Sequence, residues 1–117
     1  MHVWRACLVL VVLDVLWVTL FMRHRYEPML VAIQGHPPSV RPVPAVLAYL
    51  LMLLGLHQFV VQHEQAGLRG ALFGLVVYGV YDATCASVIT DWDTNLAFVD
   101  VAWGAFVFAV AGLASKR

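Results

Sequence analysis

The sequence predicts an all-α integral membrane protein: a four-transmembrane-helix bundle with a short interfacial segment after helix one. Three observations predict it. First, 62% of the 117 residues are apolar and only 12% are charged, against roughly 45–50% and about 25% in soluble domains. A chain this short has too little interior to hide so much apolar surface from water. Second, the apolar residues fall into separate runs of about 20 residues, the length that crosses a bilayer as a helix. Third, a membrane barrel needs about eight strands or more, and the chain is too short to supply them. The same composition excludes intrinsic disorder. With seven basic and seven acidic residues the net charge is zero, which excludes a basic nucleic-acid binder. The expected partner is the lipid bilayer.

The elements follow in order as one membrane domain, residues 1–117. The first span is expected over residues 3–22, interrupted by Arg5 and Asp14. It is expected to remain in place rather than act as a cleaved leader. The run is long, carries a central Asp14, and is followed by Arg23-His24-Arg25 instead of a small-residue cleavage site. Residues 23–43 form the long connection. Within it Tyr26 to Gln34 can make a short interfacial helix, because Met29, Leu30, Val31 and Ile33 make it largely apolar. Gly35-His36-Pro37-Pro38 then breaks it. The second span is expected over residues 44–62, with Pro44 suited to a first turn. The third covers residues 67–90. The fourth covers residues 93–114, with Asp93 or Thr94 as its N-cap. The short links after the second and third spans predict antiparallel neighbours.

Orientation follows from Lys and Arg. Arg5, Arg69, Lys116 and Arg117 lie on the face with both termini, and Arg23, Arg25 and Arg41 on the other. That bias places both termini in the cytoplasm; in a bacterial cell the membrane would be the inner or plasma membrane.

Three acids lie inside spans: Asp14, Asp82 and Asp100. Counted from the non-terminal face, Asp14 and Asp82 are about 12 Å deep and Asp100 about 10 Å. Three helices thus bring a carboxyl to one layer, with no Lys or Arg at that depth. A charged Asp at a helix centre costs about 2.5–3.5 kcal/mol on insertion scales, so something must offset three of them. Protonation is one answer. A bound cation is another, although no metal can be named. Hydrogen bonding to Trp17, Trp103, Tyr78, Tyr81 and Thr84 is a third, all of them within about one turn of an Asp. Intramembrane ionisable groups mark functional sites by default; the bland reading is that each is a neutral strut between helices.

The surroundings of two of these acids repeat. Leu13-Asp14-Val15-Leu16-Trp17 and Val99-Asp100-Val101-Ala102-Trp103 share an apolar-Asp-Val-x-Trp pattern. At i, i+3 the Trp shares a helix face with its Asp, and its indole N–H is donor-only. The two helices run in opposite directions, as inverted repeats do. Helix three carries the packing signal: Gly67, Gly70, Ala71 and Gly74, with Gly70 and Gly74 as a Gly-xxx-Gly pair. The same stripe continues through Tyr78, Tyr81, Asp82 and Cys85. On that face Asp82 is expected to be the most sensitive acid. Whether the stripe closes the bundle or builds a homo-oligomer or a larger complex stays open from sequence.

Other chemistry is absent from the pattern. Cys7 and Cys85 differ in depth by about 15 Å, too far for an intrachain disulfide. His24, His36 and His63 lack metal-ligand spacing, and His57 with Gln58 reads as an interhelical hydrogen-bonding pair. No nucleophile motif, phosphate-binding Gly loop or haem ligand pair occurs, so no cofactor and no self-contained catalytic site is expected.

These residues resemble a family of small four-helix membrane proteins, mostly bacterial, classed as a domain of unknown function. The resemblance rests on Gly70-Ala-Leu-Phe-Gly-Leu-Val-Val-Tyr78, Tyr81-Asp82-Ala-Thr84, Val99-Asp100-Val-Ala-Trp103-Gly104 and Asp14-Val-Leu-Trp17, with Tyr26 further on. It spans nearly the whole chain. The departure is Cys85, where the family more often has Asn. The resemblance implies a membrane bundle and brings no activity. Two functions are therefore carried forward. One is a polar centre handling protons, cations or a small polar solute. The other is a subunit or assembly module with the aspartates as struts.

Overall fold

The computed structural model describes residues 3–36, 42–89 and 92–116. They form four helices long and apolar enough to cross a membrane: Val3–Gln34, Pro42–Val61, Ala66–Val88 and Thr94–Ala114. No strand occurs among the described residues. The protein is an integral membrane helical bundle. Pro37, Pro38, Arg41, Thr90, Asp91 and Arg117, which bear on the expected loops and orientation, lie outside the described residues.

The first helix differs most from expectation. It does not end at Met22; it continues for 32 residues to Gln34, so the expected interfacial helix is its extension. Two irregularities lie along it. Residues Val18–Met22 form a π-helical segment, a widened turn that absorbs a change of helix face. Here the Thr19 hydroxyl donates to the Val15 carbonyl at 2.7 Å, the kind of back-bond that distorts helical regularity. Pro28 then sits inside the extension, where it lacks the N–H that would bond one turn back. The helix stops at Gly35, whose φ of 81° is left-handed and whose N–H closes the last turn on Val31. At about 1.5 Å per residue the helix is near 48 Å long, well beyond a hydrocarbon core of about 30 Å. Its far end packs on the turn before the fourth helix: the Tyr26 ring lies 5.2 Å from Trp92, and the Asp93 N–H points at the Met29 sulfur.

The third and fourth helices form the closest pair, and glycine explains why. A Cβ on Gly70 would collide with the Phe108 carbonyl, one on Gly74 with the Gly104 carbonyl, and one on Gly112 with the Ala66 carbonyl. Each pair is antiparallel and one turn from the next, so the two backbones touch along about three turns. The small-residue stripe of helix three is therefore spent inside the bundle, against helix four. The first helix lies along the other side of helix four in an antiparallel register. Ala6 and Leu10 are buried with Val107, Phe108 and Ala111 in the core. Asp93 caps helix four, its carboxylate accepting from the Leu96 N–H at 3.1 Å.

The second helix buries side chains in the core only at its C-terminal end. Its last turns, the π-helical Leu56–Val61, bury Leu56, Val60 and Val61 in the core. Its first half, with Val43, Val46, Leu47 and Leu50 exposed, stands off from its neighbours as a lipid-facing rod. The gap this leaves is the cavity beside the functional site.

Candidate functional site

The three intramembrane aspartates are among the few polar side chains buried in the bundle: Asp14 is 4% exposed, Asp82 1% and Asp100 7%. Asp14 is the hub. Its Oδ1 accepts from the Tyr78 hydroxyl at 2.5 Å and from the Trp103 indole N–H at 3.2 Å, and its Oδ2 from the Tyr49 hydroxyl at 2.7 Å. One carboxyl of the first helix is thereby tied to each of the other three. Asp14 thus accepts three hydrogen bonds from side chains and gives none.

Asp100 accepts from the Trp17 indole at 3.3 Å. The repeated Asp-x-x-Trp pattern therefore works across helices rather than within one. Trp17 of the first helix serves Asp100 of the fourth, and Trp103 of the fourth serves Asp14 of the first. The two indoles stack between the acids, centroids 4.5 Å apart and planes 4° from parallel. This exchange sets the register: residue 14 is level with 103, and 17 with 100. Asp14 and Asp100 accordingly lie about one turn, 4.5 Å, apart along the axis, not at one depth.

Asp82 has a different environment. Its Oδ1 accepts from the Tyr26 hydroxyl at 3.3 Å, while its buried Oδ2 has no hydrogen-bond partner among the described residues. The Asp100 carboxyl is its close acidic neighbour. Two ionised carboxylates cannot hydrogen-bond each other; a single proton between them would let them pair. Tyr26 and Tyr81 stand beside the pair. Among the described residues, the ion pair of Arg23 with Glu27 at 3.9 Å is at the surface, and no basic side chain reaches the three acids.

Several expected donors go elsewhere. Tyr78 serves Asp14, not its helix neighbour Asp82. Tyr81 is 58% exposed and meets Trp92 edge-on. Thr84 is exposed, and its carbonyl accepts from Ser87; it takes no part in the cluster. Gly70 and Gly74 lie at the helix contact described above. Cys7 and Cys85 are free thiols. His57 sits 3.5 Å from Gln62, away from the acids.

Two donors were missed by sequence reasoning. Tyr49 follows Pro44 by five residues, so it lies about 8 Å into its span, near the Asp layer. The depth argument used for the acids would have found it. Tyr26 is placed by the unbroken first helix. Helical side chains lean toward the N-terminus, which lets its hydroxyl reach back to Asp82.

Beside the cluster, between the helices, lies a cavity of about 530 Å³. Asp14, Asp100, Trp17, Tyr26, Tyr78 and Tyr81 contribute to its wall, with Ala48, Leu51 and Met52 of the second helix opposite. Among the described residues, no group of three His, Cys, Asp or Glu side chains is disposed to hold a metal ion.

A family model described as Predicted membrane protein (DUF2177) matches residues 1–116. No curated protein and no solved structure matches the chain.

Proposed function

The chain belongs to this family of predicted membrane proteins, and from that premise we propose that its buried acids form a proton-handling centre within the bilayer. The observation that carries this reading is the buried Asp82 Oδ2, which lacks a hydrogen-bond partner while the Asp100 carboxyl lies beside it. A proton shared by the two would supply that bond, and no Lys or Arg among the described residues pairs with either. Closely spaced buried carboxyls hold one proton between them because both cannot ionise together. Intramembrane acids of this kind form the proton relays of pumps and transporters. The donor sets divide the labour. Asp14, with three donors, bears the charge; Asp82 and Asp100 hold the mobile proton; stacked Trp17 and Trp103 connect the two. Lack of a metal-ligating group among the described residues favours a proton over a metal cation.

The test is proton uptake by purified protein in liposomes carrying an inward proton gradient. Wild type is expected to dissipate the gradient faster than empty liposomes. Equal rates, with or without added solute, would refute the reading.

A second reading has its own support. Asp14 binds all three other helices, as an assembly strut would. In that case the protein is a non-catalytic membrane subunit, and replacing the acids by Asn changes neither fold nor flux.

The topology belongs to the same proposal. Both termini are assigned to the cytoplasm, with residues 23–43 on the far side. A single Ser39→Cys in a Cys7→Ala, Cys85→Ala background is expected to react with an impermeant maleimide in intact cells. Reaction only after permeabilisation would reverse the orientation.

A further inference from the structure

We infer that the cavity beside the carboxyl cluster is a binding site for a lipophilic organic cation, such as a quaternary ammonium or phosphonium compound. Three independent features select that class. The first is size: about 530 Å³ lies within the roughly 300–1,000 Å³ of small-molecule sites. The second is charge. Asp14 and Asp100 line the wall, and no basic side chain among the described residues pairs with either. An anion would meet two carboxyls and no cationic side chain, whereas a cation would gain the carboxyls' field in a medium of low dielectric constant. The third is the wall itself. Phe73, Tyr26, Tyr78 and Tyr81 surround the space, and aromatic rings with a carboxylate are the recognised surroundings of quaternary cations.

Access fits the same class. The cavity lies where the second helix stands off, and Leu51 and Tyr81 at its margin are each 58% exposed. In the bilayer that margin faces lipid, so the occupant enters from the membrane and must itself be lipophilic. A hydrated metal ion or a sugar has no such route. The inference rests on the proposed reading only through the carboxyls.

The probe is radiolabelled tetraphenylphosphonium, measured by equilibrium dialysis against detergent-solubilised protein. Wild type is expected to bind it saturably, without competition from neutral triphenylphosphine oxide. Asp14→Asn is expected to weaken binding at least ten-fold through loss of charge. Ala48→Trp, which fills the cavity from the second helix and leaves every acid in the sequence, is expected to do the same. Absence of saturable binding, equal competition by the neutral compound, or unchanged affinity in Ala48→Trp would overturn the inference. The two readings separate cleanly. Proton flux without cation binding overturns the cation site and leaves the proton centre. Cation binding without proton flux supports the site and removes the proton centre.

Discussion

Gly74→Leu is expected to abolish the folded bundle. The Gly74 Cα faces the Gly104 carbonyl, and a side chain there would collide with backbone, which cannot swing aside. Helices three and four would have to part. Gly70 and Gly112 would then lose their own close contacts in the same row, and Tyr78, carried on helix three, would leave Asp14. The penalty lies at or above the top of the roughly 1–3 kcal/mol typical of overpacked sites. Folded yield and melting temperature in detergent measure it. Gly79→Ala is the matched control: a Cβ there meets only the Val101 side chain, at 3.9 Å. It should fold as wild type or slightly better, since Ala is favoured over Gly in a helix by about 1 kcal/mol. A normal yield of Gly74→Leu would place that residue toward lipid and contradict the packing described here.

Asp82→Asn is expected to keep the fold and eliminate proton exchange. The Asn amide can still accept from Tyr26 and can donate permanently to Asp100, imitating the protonated pair without a removable proton. Asp100→Asn should behave alike, because the proton belongs to both. Asp14→Asn should also fold. Its Oδ1 can still accept from Tyr78 and Trp103, and its amide can donate to a rotated Tyr49 hydroxyl. Asp14→Leu, by contrast, strips three donors of their acceptor, each costing about 1–3 kcal/mol when buried. Flux in liposomes and folded yield, measured together, separate these outcomes. Three well-folded Asn variants with wild-type flux would leave the strut reading.

Much of this was legible before any coordinates. Composition and run length are enough to identify a membrane bundle, because lipid demands long apolar helices and little else. The Gly70–Gly74 stripe announced a close helix contact, though only the structure assigns it to helix four. Asp14, Asp82 and Asp100 stand out because charge inside a span is rare and costly. The pairings were not legible. Spacing within one helix points Trp17 at Asp14 and Trp103 at Asp100, yet interhelical register exchanges the partners. Likewise Tyr78 and Tyr81 were read as serving Asp82 because they share its helix. Tyr78 instead crosses to Asp14, Tyr81 meets Trp92 edge-on at the margin of the cavity, and Tyr26 comes from the segment expected as a separate interfacial helix. The charge at Arg23-His24-Arg25 favours ending the first span at Met22, because charge inside a span is costly. The π-helical turn at residues Val18–Met22, which has no clear sequence signal, lets the helix continue. The importance of Asp82 thus survives for a different reason, its contact with Asp100.

The central claim is that Asp82 and Asp100 share a proton that can leave. Infrared difference spectroscopy of the protein in lipid, recorded as pH is raised, tests it most directly. The account predicts a carboxylic-acid carbonyl band that bleaches reversibly as a carboxylate band grows, with Asp82→Asn and Asp100→Asn each removing the bleach. A carbonyl band that no pH removes, or a bleach that persists in both variants, would contradict it.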